Sequence, residues 1–163
     1  GAWNNWTASA VQSTPAAGET VKSCGDFNAS HSDTATVMIS ASFANAGVKI
    51  DGDCSAEGGA ARSSWDGQSI LARGVDSGSG GRSDVTVRNI DFKGFTAYAI
   101  IGQNTTSDNW LIEDITCDGS VTTSQCIRIA AGNTGWVIQD STFHDCYDDC
   151  IFTGAPLTLR RLV

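Results

Sequence analysis

The residue types best able to do chemistry are concentrated in one short stretch of the chain. His144, Asp145, Asp148 and Asp149 lie within six consecutive residues and form the densest acidic cluster of the sequence. Several oxygen ligands this close together could hold Ca²⁺, which prefers carboxylate and carbonyl oxygens. The simpler interpretation is that the aspartates cap a turn before a strand, because short polar side chains bond to the backbone in turns. We therefore expect no resident metal or cofactor, and Ca²⁺ is the ion that the cluster would take.

Charge and hydropathy exclude two classes of partner. The 163 residues include 10 Lys and Arg against 18 Asp and Glu, which gives a formal net charge of −8 at pH 7. Such a surface repels polyanions unless it carries a basic patch, and Arg160 and Arg161 form the only adjacent basic pair. We therefore expect no nucleic-acid partner. No stretch reaches the roughly 18 apolar residues that a membrane-spanning helix needs, so we also expect no membrane insertion.

The cysteine content predicts a secreted or cell-surface protein with disulfides. An even number of cysteines is typical of an oxidising compartment, and the sequence has neither a C-x-x-C pair nor more than two histidines for an ordinary zinc site. Three N-glycosylation sequons fit the same compartment. They begin at Asn5, Asn28 and Asn104. The six cysteines are Cys24, Cys54, Cys117, Cys126, Cys146 and Cys150.

A repeated strand pattern runs through the second half of the chain. Similar segments begin at positions 85, 110 and 136, which are 25 and 26 residues apart, and a shorter one begins at 157. Each alternates apolar and polar residues, so alternate side chains should face the interior. A period in the twenties with several strands per repeat predicts a solenoid, in which each rung buries its apolar face against its neighbours. A second set of short apolar strands lies between them, at 98–102, 125–129 and 149–153.

The repeat predicts which side chains are neighbours, because strands in successive rungs lie about 4.8 Å apart. We expect Trp110 to stack on Trp136 inside the coil and Arg88 to face Glu113 outside. Three further columns are expected: a corner ladder of Asn89, Asp114 and Asp140, an interior column of Phe92, Cys117 and Phe143, and an outward Arg128 between Ile101 and Phe152.

The same alignment suggests a cysteine pairing, although spacing alone does not define the connectivity. Two cysteines occupy equivalent positions in neighbouring repeats, and two others form a natural N-terminal pair. The expected set is therefore Cys126–Cys150, Cys24–Cys54 and Cys117–Cys146.

We predict one β-helix domain over residues 1–163. An irregular N-terminal segment or cap is expected at 1–35, loop-interrupted rungs at 36–84 and regular rungs at 85–163. The early rungs include strands at 36–39 and 48–51, with a strand of the second set at 69–74.

Arginines and aromatic residues outside the regular repeat are candidates for a binding surface. Trp3, Trp6 and Trp65 lie in irregular stretches, so we expect exposed aromatic side chains there. Arg73 and Arg128 are expected to be solitary, on a mixed surface rather than in a cationic cleft.

The repeated string V-x-(N/D)-x-x-F, followed by a Gly turn and C/A-I-x-I, resembles that of the pectin-lyase-like proteins. The resemblance covers residues 36–163 and is best over 85–163. It implies an all-β fold, a right-handed parallel β-helix. That superfamily includes polysaccharide lyases and hydrolases, phage tailspikes, adhesins and non-enzymatic surface proteins.

One string is similar to a catalytic motif of the polygalacturonase group. Asp148-Asp149-Cys150-Ile151 resembles its aspartate pair, which in that group supplies a general acid and a water-activating base. The resemblance implies a catalytic role for Asp148 and Asp149, with Asp145 and His144 beside them. The group carries another aspartate one rung earlier, whereas this chain has Thr123-Ser124-Gln125-Cys126 there, so the catalytic set is incomplete.

These observations favour a secreted, non-enzymatic β-solenoid that acts as a structural or surface module. The segment 157–163 is one more strand with no cap after it, and solenoid ends normally need caps. Two explanations remain open: the chain is a fragment whose later rungs are missing, or its open end pairs with the start of another copy, which predicts end-to-end self-association into a filament. The alternative is a polysaccharide hydrolase or lyase, or a glycan-binding domain, as part of a larger protein or a phage spike.

Overall fold

A computed structural model describes residues 2–3, 17–28, 37–40, 47–78, 80–103, 105–120 and 125–163. Within these residues the chain forms fifteen β-strands and a 3-10 turn at Ser55–Glu57, with no α-helix. Accordingly, no helix of the described chain is long and apolar enough to cross a membrane. The strands are β1 (Ala2–Trp3), β2 (Thr20–Ser23), β3 (Asp26–Asn28), β4 (Val37–Ser40), β5 (Lys49–Asp51), β6 (Ser63–Asp66), β7 (Arg73–Asp76), β8 (Thr86–Lys93), β9 (Tyr98–Gly102), β10 (Leu111–Asp118), β11 (Gln125–Ile129), β12 (Trp136–Gln139), β13 (Thr142–His144), β14 (Ile151–Thr153) and β15 (Leu157–Arg160).

The strands form two parallel sheets, so the predicted parallel β-solenoid is confirmed, with about 4 turns. Sheet A has ten strands: β1, β2, β5, β8, β10, β12 and β15 follow one another, and β3, β6 and β13 lie alongside. Sheet B contains β4, β7, β9, β11 and β14 in that order. Each turn of the chain contributes a strand to each sheet, which explains the period of 25 to 26 residues. The right-handed sense stays a prediction.

A left-handed backbone residue bends each long strand of sheet A. Asn89 lies within β8 with φ +58° and Asp114 lies within β10 with φ +49°. Asp140 occupies the same position between β12 and β13, with φ +51°. The bend shifts the alternation by one residue, so that Val87 and Ile90 on either side of Asn89 are both buried. The corner ladder is confirmed, and these residue types occupy it because Asn and Asp tolerate positive φ.

The predicted interior neighbours are confirmed in the regular half. The rings of Trp110 and Trp136 are stacked, with centroids 4.8 Å apart and 9° between the planes. The register of β8, β10 and β13 places Phe92, Cys117 and Phe143 in one column. On the outside, Arg88 lies opposite Glu113, with 3.6 Å between their charged atoms.

The interior column continues into the first half, where the expectation of an exposed Trp65 is wrong. Trp65 lies in β6 in register with Phe27 of β3 and Phe92 of β8. Its side chain is fully buried, and Nε1 donates a hydrogen bond to Ser23 Oγ at 2.7 Å. The loop that precedes β6 interrupts the repeat. Alignment of the sequence therefore does not reveal that Trp65 belongs to the repeat.

The N-terminal strands differ from the expectation in two places. The strands at 36–39 and 48–51 correspond to β4 and β5. The stretch 1–35, expected to be irregular, contributes β2 and β3, which pair with β5 and β6. The strand of the second set expected at 69–74 is present but displaced, because Gln68 and Ser69 adopt positive φ of 53° and 55° in a turn. It is β7, which begins at Arg73 and pairs with β9 in sheet B.

The disulfides confirm one predicted pair and correct the other two. Cys24–Cys54 is present as expected. The expected Cys126–Cys150 and Cys117–Cys146 bonds are wrong, and the pairs are Cys117–Cys126 and Cys146–Cys150. Residues in register on parallel strands point in the same direction, whereas a disulfide requires the two Cβ atoms to face each other. The buried bond therefore crosses the interior within one turn, from β10 to β11.

Candidate ligand-binding site on sheet B

The acidic cluster predicted from the sequence is only partly assembled. His144 Nδ1 lies 2.9 Å from Asp145 Oδ2, and both residues are exposed. A residue that the sequence analysis missed, Asp118, is in register with His144 on the neighbouring turn. One ligand atom from each of the three lies within 4.8 Å of the others, which is a spacing that a metal ion could bridge. The strand register was the signal that could have identified Asp118.

Asp148 and Asp149 are not part of the group formed by Asp118, His144 and Asp145. Both are exposed in the loop between β13 and β14, which the Cys146–Cys150 disulfide closes. Neither contributes to the pocket described next. Ile127 of β11 is in register with Ile151 of β14, which places Gln125 rather than a carboxylate level with Asp149 on the preceding turn.

A surface pocket of about 260 Å³ lies against three strands of sheet B. Strands β7, β9 and β11 supply most of its wall, because parallel stacking brings one residue from each turn to the same place. Its lining combines two cations, an aromatic ring and an amide, all of which can bind polar ligands. The lining residues are Arg73, Tyr98, Ile101, Gly102, Gln103, Arg128 and Ala130.

A buried carboxylate fixes two of the polar side chains in this wall. Asp76 is 4 % exposed and accepts a hydrogen bond from Arg73 Nη1 at 2.6 Å. The amide nitrogen of Gln103 lies 2.6 Å from each oxygen of the same carboxylate, and the backbone N–H of Gly78 donates to it at 2.7 Å. Arg73 Nε is buried with no hydrogen-bond partner among the described residues. Asp76 therefore holds Arg73 and Gln103 in place.

Aromatic rings hold the second cation of the pocket. The guanidinium carbon of Arg128 lies 5.3 Å from the centre of the Tyr98 ring and 5.6 Å from that of Phe152. Arg128 also donates a hydrogen bond to Tyr98 Oη. Its predicted outward position beside Ile101 and Phe152 is confirmed by the register. A cation placed over aromatic rings is stabilised by their negative faces and keeps N–H groups for a ligand.

The expectation that Arg73 and Arg128 are solitary is wrong. They lie on β7 and β11, which are separated in sheet B by β9, and both border the same pocket. Two cations in one pocket are notable on a chain with a net charge of −8. A strand at 69–74 does not bring the two arginines together, whereas the alignment of Arg73 with Tyr98 does.

A separate charged network on sheet A involves a buried aspartate. Asp51 is 1 % exposed, and Arg88, Lys22 and Asn89 donate to its carboxylate at 2.9, 3.1 and 2.7 Å. Burial alone would raise the pKa of Asp51. The hydrogen bonds from Asn89, the backbone N–H of Asp53, Arg88 and Lys22 act in the opposite direction and hold the pKa at about 2. These bonds join neighbouring strands of sheet A, while Arg88 Nε is buried with no hydrogen-bond partner among the described residues.

The remaining predicted sites fall partly outside the described residues. Asn28 ends β3 with a half-buried side chain, opposite Asp66 on β6. Asn5, Asn104 and Trp6 lie outside the described part of the chain, as does the side chain of Trp3.

Comparisons with known proteins add no relative to this description. No family model matches the chain, and neither does any curated protein or solved structure. The parallel β-solenoid and its pocket on sheet B are therefore the basis for assigning a function.

Proposed function

We propose that this chain is a secreted, non-enzymatic β-solenoid that binds acidic glycans through the pocket on sheet B. The observation that carries the proposal is the position of Arg128, which lies over two aromatic rings in the same pocket as Arg73. Support for secretion comes from the three disulfides, which persist in oxidising compartments.

The chemistry of the pocket suits a sugar with a carboxylate or sulfate group. Arg128 offers a planar guanidinium group, which can match such an anion with paired hydrogen bonds. Arg73 adds a second guanidinium group at the same pocket, already paired with Asp76. Tyr98 presents an aromatic ring next to these donors, and Gln103 adds an amide that can bond to hydroxyl groups. The volume of about 260 Å³ suits one sugar unit of a longer chain that continues along the outer face of the sheet.

The non-enzymatic part of the proposal follows from the carboxylates. Glycoside hydrolysis needs one carboxyl group to donate a proton and another to activate water or attack the sugar. The carboxylate that contacts the pocket wall, Asp76, is already bonded to Arg73 and Gln103. The exposed Asp148 and Asp149 do not line the pocket. The resemblance to pectin-lyase-like proteins supports the solenoid and the sugar-binding face of the proposal, but not catalysis.

Binding of defined oligosaccharides tests the proposal. Titration calorimetry with uronic-acid oligosaccharides and their neutral counterparts should detect only the acidic set. We expect Arg128→Ala to weaken binding by about ten- to a hundredfold, because a charge-assisted hydrogen bond contributes about 1.5–3 kcal/mol. Arg160→Ala is the matched control, since it removes an equal charge from an exposed position on sheet A.

Three results would contradict the proposal. Equal binding of neutral and acidic sugars would remove the role of the arginines. Equal loss in both variants would reduce the interaction to non-specific charge attraction. Release of new reducing ends from a polysaccharide panel would establish an enzyme instead.

End-to-end self-association is a second candidate, supported by the last strand. Among the described strands β15 pairs with β12 alone, and Leu159 and Val163 are 51 % and 87 % exposed. An edge strand with exposed backbone and apolar side chains can accept a strand from a second copy. We expect the elution volume in size-exclusion chromatography to decrease with concentration, and Leu159→Glu to abolish that change. A monomer at every concentration would exclude it.

A further inference from the structure

Two disulfides lie against each other near the end of sheet B. Cys117–Cys126 connects β10 to β11, and Cys146–Cys150 closes the loop before β14. The sulfur atoms of Cys126 and Cys146 are not bonded, yet they are only 3.9 Å apart. Gly119 permits this approach, because a Cβ atom there would lie 2.9 Å from Cys146 Cα.

The two bonds differ in their access to solvent. Cys117 and Cys126 are 2 % and 1 % exposed, whereas Cys146 and Cys150 are half-buried. The loop that Cys146 and Cys150 close presents Tyr147, which is 73 % exposed. Exchange starts where a thiolate can reach a disulfide sulfur, so an external thiol meets the Cys146–Cys150 bond first.

We propose that these four cysteines form a thiol–disulfide exchange site that reacts with small external thiols. The external thiolate attacks Cys150 Sγ, forms a mixed disulfide there and releases Cys146 as a thiolate. Cys146 then attacks the adjacent Cys126 Sγ, which breaks the Cys117–Cys126 bond and forms Cys126–Cys146. Cys117 leaves with the electron pair and takes up the proton that the external thiol lost.

A second external thiol completes the reaction. It attacks the external sulfur of the mixed disulfide at Cys150, forms an external disulfide and leaves Cys150 as a thiol. Two external thiols are thereby oxidised and one protein disulfide is reduced. The surviving bond, Cys126–Cys146, joins two successive turns of the coil.

The exchange would change the surroundings of β14. In the starting state, Cys146–Cys150 holds the loop that leads into this strand, and the strand carries Phe152 against Arg128. After exchange Cys150 is unbonded, and the covalent restraint on the start of β14 is lost. The exchange does not depend on glycan binding. It would make the covalent restraint on β14, which lies on the same face of the solenoid as the pocket, depend on external thiols.

Two single variants test the transfer step without any reductant. Cys150→Ser leaves Cys146 as a free thiol next to Cys126, so we expect a Cys126–Cys146 bond and a free Cys117. Cys146→Ser removes the same disulfide but leaves the free thiol at Cys150, and serves as the matched control. In that control we expect Cys117–Cys126 to stay intact and Cys150 to be alkylated.

Tryptic mapping distinguishes the two connectivities. Lys93, Arg128 and Arg160 are successive cleavage sites, so Cys117 and Cys126 fall in peptide 94–128, and Cys146 and Cys150 in peptide 129–160. Free thiols are blocked with N-ethylmaleimide before digestion under non-reducing conditions. Cross-linked 94–128 and 129–160 in more than roughly a tenth of the Cys150→Ser molecules, with Cys117 alkylated, supports the proposal. A lower proportion, with Cys146 alkylated, overturns it.

The unmodified protein provides a second measurement that does not depend on how the variants fold. Folded protein is treated with limiting glutathione, blocked and mapped in the same way. We expect alkylation of Cys117 and glutathione or alkylation at Cys150, together with the cross-linked peptides. Alkylation of Cys146 and Cys150 with Cys117–Cys126 retained would show simple reduction and would overturn the proposal.

Discussion

At the scale of single residues, the buried Asp51 shows how charge stabilises a surface of stacked strands. Its carboxylate joins three successive strands, because Lys22 lies on β2, Asp51 on β5 and Arg88 on β8. A buried carboxylate without partners would take up a proton rather than remain charged. The low pKa of Asp51 therefore indicates that the charged form is tied to the folded state.

We predict that this linkage appears in the pH dependence of stability. The folded pKa of Asp51 is about 2 against an ordinary 3.8, so the ionised form is favoured by folding. The stabilisation is fully present above the unfolded pKa and is lost as the pH falls from about 4 towards 2, by about 2 kcal/mol. Urea unfolding of the wild type and Asp51→Asn between pH 2 and pH 7 measures it. If the free energy of unfolding changes equally with pH in both proteins, the low pKa of Asp51 is contradicted.

At the scale of elements, the bends within the strands of sheet A depend on backbone conformation. Asn89, Asp114 and Asp140 share a positive φ at the same position in successive turns. Each bend lets one continuous strand cover two adjoining faces of the coil while apolar residues stay inside. The residue type at this position is thus selected by the backbone, in addition to any bond that the side chain makes.

We predict that two substitutions of Asp114 differ in their effect on the stability of the fold. Both remove the ion pair with Arg62, and they differ in whether the residue can adopt φ +49°. Asp114→Val should be less stable than Asp114→Gly by about 1–2 kcal/mol, because a β-branched residue is strained in the left-handed region. Chemical denaturation of the two variants under the same conditions gives the difference. If the two variants are equally stable, the backbone at residue 114 has moved out of the left-handed region in Asp114→Val, and the prediction is contradicted.

The sequence could predict the elements from Val85 onward because their repeats lack insertions. Trp110, Trp136 and the corner ladder could be placed by alignment alone. Trp65 and Arg73 could not, since a loop precedes one and a turn with positive φ at Gln68 and Ser69 precedes the other. The disulfides depend on the direction of each Cβ atom, which alignment does not contain. The pocket was missed for the same reason as Arg73, because it needs the register of β7 against β9.

At the scale of the whole molecule, packing is mainly one-dimensional, because the described strands pair with those of successive turns. Arg62, just before β6, reaches further and pairs with both Asp91 on β8 and Asp114 on β10. The central strands β8 and β10 have partners on both sides, whereas β15 pairs with β12 alone among the described strands. The side chains of β14 are half-buried or exposed, and those of β12 alternate between buried and half-buried. In such solenoids stability is roughly a sum over turns and their interfaces.

We predict a gradient of hydrogen exchange along the coil. Backbone amides of β8 and β10 should exchange at least roughly tenfold more slowly than those of β14 and β15, because local opening is easiest where fewer apolar contacts must be broken. Exchange measured by mass spectrometry on peptic fragments resolves these strands. Uniform protection across all four would indicate that the coil opens only as one unit.

The tryptophan stack has a spectroscopic consequence. Two indole rings held 4.8 Å apart and nearly parallel couple their electronic transitions, which alters their ultraviolet absorption. The pair spans β10 and β12, so this signal reports directly on the contact between two successive turns. The coil therefore carries its own optical probe of stacking, readable without any added label.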